Sequence, residues 1–282
     1  MVLDGGFMKQ RVITGIVGLV LLGACMFLFN TIFFNVIVAI IALVATFEVL
    51  SAAKLTNFRL LCAVCAILTA LIPFLTNKLG EYTILIYITL VFLIFLMLIA
   101  YHKALSFKDA FMSLFISFAI GFSFSTFVFV RDMCGENTSL GVFYILLMLG
   151  GAWLSDTGAY FVGSIWGNKK LAPQISPKKT VEGAIGGLLS SVSCFLIIGL
   201  IFQVIWKDTF EVNFILLALT GAVLSILSIL GDLSASVIKR QCEIKDFGKI
   251  FPGHGGVLDR FDSVLFTAPA LWVIVTYFDI VI

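Results

Sequence analysis

Long, uninterrupted apolar runs leave this chain few ways to fold. They recur from residue 12 onward, at lengths near the ~20 residues an α-helix needs to cross a bilayer. Composition agrees: 61% of the 282 residues are hydrophobic and only 12% are charged, against about 25% charged in a soluble domain. In lipid every backbone N–H and C=O must find its partner inside the protein, and these runs are too long and too uniformly apolar for barrel strands. The expectation is an all-α integral membrane protein with nine spans, at 12–29, 31–50, 60–76, 82–101, 110–130, 140–163, 181–206, 212–236 and 261–281. Asn30 and Thr31 leave room only for a tight hairpin between the first two. Pro73 predicts a kink in the third.

The basic residues set an orientation for this bundle. Fifteen of the 18 Lys and Arg fall in alternate connections, counting the N-terminus as the first: Lys9 and Arg11, Lys54 and Arg59, Lys103 and Lys108, the run from Lys169 to Lys179, and Lys239 to Arg260. The other side has Lys78, Arg131 and Lys207. By the positive-inside rule the N-terminus is expected in the cytoplasm and the C-terminus outside. The six cysteines form no disulfide framework, and Cys62 and Cys65 read as small packing residues within an apolar run. Residues 1–7 look detached from the Met-Lys-Gln-Arg that follows and are expected to be an extension.

Residues 1–135 contain few polar groups within their spans and read as a transmembrane scaffold. Glu48 is expected to pair with Lys54 at the membrane surface, and His102 to be an interfacial residue beside Lys103. Residues 136–282 differ, with cytoplasmic loops expected at 164–180 and 237–260. Asp156, Tyr160, Gly163 and Gly167 recur at helical spacing and so share a face. A carboxylate at membrane depth costs about 2.5–3.5 kcal/mol on insertion scales, so Asp156 needs a cation or a water-filled cavity. Pro177 stiffens the loop before Lys178 and Lys179, aiming two cations at whatever lies beside it. Ser225, Ser228, Asp232, Ser236 and Lys239 form a polar stripe along one face of the eighth span. Such a stripe faces protein or water rather than lipid.

That stripe runs into the most charged part of the chain, where Lys239, Arg240, Lys245, Asp246, His254, Asp259, Arg260 and Asp262 are interrupted by glycines at 248, 253, 255 and 256. Cations, a glycine-rich turn and spaced carboxylates are what a site needs to hold phosphates and a divalent metal. The order is S-x-x-K-R, four residues, K-D-x-G, then P-x-H-G-G-x-x-D-R-x-D between Ser236 and Asp262. It resembles the hallmark of the phosphatidate cytidylyltransferases (CDP-diacylglycerol synthases), with more than a dozen matching positions over 27 residues. The W-x-x-D-T-x-A-Y string around Asp156 and the S-P-K-K-T-x-E-G string around Lys178 and Lys179 are similar to the same family.

The resemblance implies an enzyme that joins CTP to phosphatidic acid, releasing pyrophosphate. It brings forward Asp232 and Asp259 as ligands of Mg²⁺, with a second cation such as K⁺ beside it and Asp262 close by. Asp232, Asp259, Lys239 and Asp262 are then the catalytic group. Lys178, Lys179, Lys239, Arg240 and Lys245 would hold phosphates, and Ser236, Arg260 and Asp156 would complete the substrate site. The turn around Gly255 and Gly256 would let backbone amides approach the phosphates, with His254 as a donor. Asp246 would orient Lys245 or touch the nucleotide. The family is thought of as dimeric, so a homodimer is implied, with no nucleic-acid partner. The compact length, with no organellar targeting segment evident, leads to the expectation of a bacterial plasma membrane.

Two other readings stay open. Asp156, Asp232 and Asp259 within a bundle would also suit a cation-coupled transporter, although no internal repeat accompanies them. A CTP-dependent polyprenol kinase would use similar residues. A CDP-alcohol phosphotransferase would need a D-G-x-x-A-R run, which is absent.

Overall fold

The computed structural model describes residues 23–75, 83–207, 211–251, 253 and 255–281. Residues 1–7, most of the expected first span, Lys78 and His254 lie outside the described residues. Helices occupy the eight later stretches: α1 Ile32–Ala52, α2 Arg59–Leu71, α3 Thr83–Ala100, α4 Phe107–Cys134, α5 Thr138–Trp166, α6 Val181–Ile205, α7 Phe214–Gln241 and, after the single turn α8 Leu258–Phe261, α9 Val264–Tyr277. Five of them (α1, α4, α5, α6 and α7) are long and apolar enough to cross a membrane, and the stretches Arg59–Phe74, Ile88–Ala100 and Val264–Tyr277 are shorter apolar helices. The protein is a multi-pass, all-α membrane protein, with one small hairpin among the described residues, β1 Lys170–Ala172 with β2 Ser176–Thr180.

The chain divides into two compact units. The first takes residues 1–133 and 242–260, and the second takes 134–241 and 261–282.

In the first unit α1 packs on α2, and α2 on α3. At Pro73, α2 gives way to a 3₁₀ turn, Ile72–Phe74, directly after Leu71, because proline has no N–H to continue the ladder. The Pro73 carbonyl accepts from buried Asn35 Nδ2 at 2.7 Å. The expected hairpin at Asn30 and Thr31 is clamped by Arg131, whose guanidinium donates to the carbonyls of Phe29 and Thr31 and to Asn35 Oδ1. Deeper in, Thr69 bonds both Thr46 Oγ1 and the Ser117 carbonyl.

The second unit packs α5 along α6, with α7 against both and α9 against α5 and α7. Helix α6 turns Ile185, Leu189 and Ile197 outward and buries Gly183, Gly186, Gly187 and Ser191. Small residues at the seam let backbones approach closely where lipid gives no hydrophobic drive to associate. A Cβ at Gly187 would lie 2.8 Å from the Ser155 carbonyl oxygen. Polar side chains bridge the helices there: Ser155 Oγ to Ser225 Oγ at 2.8 Å, and Ser191 Oγ to the Gly221 carbonyl at 2.9 Å. Each such bond contributes about 0.6 kcal/mol on average.

Candidate active site

In the second unit, three carboxylates and two ammonium groups meet on different elements. Asp156 comes from α5, Lys179 from β2, Asp232 and Lys239 from α7, and Asp262 from the residue pair before α9. Lys179 Nζ pairs with Asp232, both side chains being about a quarter exposed. Lys239 Nζ lies 4.0 Å from Asp262 Oδ2. The charges of Asp156 and Asp232 both act on Asp262, and Asp156 lies within reach of Lys179 and Asp232. With all five groups ionised, one negative charge remains in surplus.

Hydroxyls hold the carboxylates in place. Ser263 Oγ donates to Asp156 Oδ2 at 2.9 Å and Ser228 Oγ to Asp156 Oδ1 at 3.4 Å, while Ser263 N–H donates to Asp262 Oδ1 at 2.8 Å. Asp156 thus has both the cation and the polar surroundings that membrane depth demands. Ser225, Ser228 and Ser236 are buried, as a protein-facing stripe requires. Tyr160, one turn along the same helix face as Asp156, is 72% exposed. Gly231 lets α7 close on the Asp262 segment, since a Cβ there would lie 2.7 Å from the Asp262 carbonyl oxygen.

The two lysines of the basic loop point apart. They are successive residues of β2, so their side chains leave opposite faces. Lys179 turns in to Asp232, and Lys178 is exposed. The rest of the S-P-K-K-T-x-E-G string builds the support. Thr180 Oγ1 caps α6 by accepting from Gly183 N–H, and the Glu182 carboxylate accepts from the N–H groups of Asn168 and Lys169. The lysine that reaches the cluster is therefore anchored directly to the first turn of α6.

Helix α7 runs on to Gln241, so Lys239 and Arg240 are helical residues rather than the start of a loop. The loop proper, in the first unit, closes on itself. Asp259 Oδ2 accepts from Phe247 N–H at 2.8 Å and Gly256 N–H at 3.0 Å, and Phe251 N–H donates to the Gly255 carbonyl. Gly253 and Gly255 take positive φ of 74° and 83°, the region where a side chain is strained. Lys245, Asp246 and Arg260 are exposed.

Sequence reasoning missed one residue of this loop's surroundings. Glu48, expected to pair with Lys54, is buried and accepts from Val257 N–H at Oε1 and Leu258 N–H at Oε2. Its signal was a carboxylate in an otherwise apolar span. Among the described residues no group of three or more His, Cys, Asp or Glu stands in position to hold a metal by itself.

Residues 9–278 match the model of the cytidylyltransferase family. The chain is 34% identical to the phosphatidate cytidylyltransferase of Bacillus subtilis (strain 168), over 96% of this chain and 99% of that one. It is 35% identical to the protein of that name from Staphylococcus epidermidis (strain ATCC 35984), over 94% of this chain and 97% of that one. With that of Staphylococcus haemolyticus it shares 44% identity over 59% of each.

Proposed function

The chain belongs to the cytidylyltransferase family, and from that premise we propose that it is a phosphatidate cytidylyltransferase, converting CTP and phosphatidic acid to CDP-diacylglycerol and pyrophosphate. The observation that carries the reading is the end-to-end match, 96% of this chain, to a relative of that name. The charged cluster around Asp232 supports it, because this reaction must bring two anions together.

The lipid phosphate is already an oxyanion, so no general base and no protein nucleophile is required. One of its oxygens attacks the α-phosphorus of CTP. The bond from that phosphorus to the oxygen bridging to the β-phosphate breaks, and its electron pair leaves with pyrophosphate. Lys179, Lys239, Arg240, Lys245 and the outward-facing Lys178 hold phosphates and screen their repulsion. Asp156 and Asp262, fixed by Ser228 and Ser263, orient Lys179 and Lys239. Ser236, Asp246, His254, Gly255, Gly256 and Arg260 complete the nucleotide site.

The donor set suits Mg²⁺: hard oxygens of three carboxylates, set among two ammonium groups and the Ser228 and Ser263 hydroxyls. Mg²⁺ needs only one or two carboxylates when substrate phosphates and water complete its shell. Asp232 and Asp259 would supply those oxygens, with a second cation such as K⁺ nearby. When bound, the metal neutralises charge on the phosphates and on departing pyrophosphate.

On the same reading the protein has nine spans with the N-terminus in the cytoplasm. The last four helices form a cytoplasm-facing cleft, entered by CTP from the cytoplasm and by the lipid from the inner leaflet. Residues 1–135 serve as scaffold and 136–282 carry the chemistry, in a homodimer of the bacterial plasma membrane. The test uses CTP labelled at either phosphate. Label from the α-phosphate is expected in lipid. Label from the γ-phosphate instead would indicate a kinase, and label from neither would leave a transporter.

A further inference from the structure

Glu48 sits one turn from the end of α1, in the part of the chain that otherwise reads as scaffold, yet its side chain is only 4% exposed. Both carboxylate oxygens are committed to one short stretch: Oε1 accepts from Val257 N–H at 2.9 Å and Oε2 from Leu258 N–H at 2.8 Å. These are charge-assisted bonds, about twice as strong as neutral ones. The loop is also shaped around this carboxylate. A Cβ on Gly248 or on Gly256 would run into the Glu48 carboxylate itself. Gly256 is held from its other side too, because its N–H donates to Asp259 Oδ2 at 3.0 Å. The glycines at 248 and 256 therefore owe their identity to close approach, and what they approach is a residue roughly two hundred positions away.

We infer that Glu48 is a positioning residue for cytidylyl transfer, holding the 247–258 turn in the shape that presents Lys245 to the nucleotide phosphates and keeps Asp259 in its place beside them. The inference rests on the proposed function. It reaches further by tying nucleotide binding to a side chain of α1. Glu48 touches backbone only, so it acts through the turn and not on the reacting atoms. Removing one acceptor oxygen should loosen nucleotide binding while leaving the lipid side of the reaction alone.

The experiment compares wild type, Glu48→Gln and Thr69→Val in full-length, detergent-purified protein. Glu48→Gln keeps the volume but turns one acceptor into a donor that faces the N–H of Val257 or Leu258. Thr69→Val breaks the buried bonds to Thr46 and Ser117 in the same unit. It controls for lost stability without touching the turn. For Glu48→Gln, KM for CTP should rise at least tenfold while KM for phosphatidic acid stays within twofold. Amide hydrogen exchange across 247–258 should accelerate at least tenfold, with α5 to α7 unchanged. Thr69→Val should move neither. Unchanged KM for CTP in Glu48→Gln, an equal rise for both substrates, or unchanged exchange in the turn would overturn the inference while leaving the function intact. If Glu48→Gln does not fold, Glu48→Asp takes its place, and failure of both to fold would assign Glu48 a purely structural role. A wild-type protein that makes no lipid product fails the proposed function itself.

Discussion

Gly231→Ala is a one-methyl perturbation whose effect can be worked from distances. The added Cβ would stand 2.7 Å from the Asp262 carbonyl oxygen and 3.0 Å from Ser263 Cα, both backbone atoms that cannot rotate away. Carbon and oxygen approach to about 3.3 Å at closest, so α7 and the Asp262 segment must part by roughly 0.6 Å. Overpacking of this kind costs about 1–3 kcal/mol in stability. The larger consequence falls on the site, because the strain lies between Asp232 and Lys239 on one side and Asp262 and Ser263 on the other. A misplacement near 1 Å can cost about 100-fold in rate, so kcat/KM is expected to fall about 10- to 100-fold. Gly221→Ala on the same helix is the control. Its Cβ would meet Phe195 and Val192 at 3.2 Å, away from the charged cluster. It should lower the melting temperature by less and keep activity within about threefold, since distant sites act independently. Wild-type kcat/KM in Gly231→Ala, or equal losses in the two variants, would refute the claim that this helix contact sets the geometry of the site.

Three further outcomes follow from the same arrangement. Asp232→Asn and Asp259→Asn should each abolish turnover in protein that still inserts and purifies, whereas Asp279→Asn, near the far end of the chain, should be nearly silent; tenfold-retained activity in either of the first two would remove it from the metal site. CTP made chiral at the α-phosphorus by sulfur substitution should give product of inverted configuration, and retention would require a covalent cytidylyl-enzyme. Single cysteines in place of Lys178 and Lys249 should react only with reagents that reach the cytoplasm, and those in place of Lys78 and Lys207 from outside intact cells.

The helices were legible because lipid removes the alternatives: an apolar run of span length can only satisfy its backbone by coiling on itself. The ends were less so. At Pro73 α2 gives way to a 3₁₀ turn, and α7 carries Lys239 and Arg240 as helical residues past the expected end of its span. Asp156 was legible as a carboxylate in need of neighbours, but not which ones. Ser228 and Ser263 reach it from elements 72 and 107 residues on, a distance periodicity cannot span. The separate directions of Lys178 and Lys179 were not legible, for a local reason. A loop of unknown backbone lets both side chains point one way, whereas the strand that forms there separates them. Glu48 was hidden by proximity in sequence to Lys54, an easy partner, when its true partners are backbone groups of a distant turn.

The central claim is that this chain transfers a cytidylyl group to a lipid phosphate and releases pyrophosphate. Purified protein reconstituted in vesicles containing phosphatidic acid, supplied with CTP and Mg²⁺, tests it most directly. The account predicts CDP-diacylglycerol by mass and pyrophosphate in equal molar amount, both lost in Asp232→Asn. Consumption of CTP to CDP with a phosphorylated lipid, or pyrophosphate release without a nucleotide-bearing lipid, would contradict it.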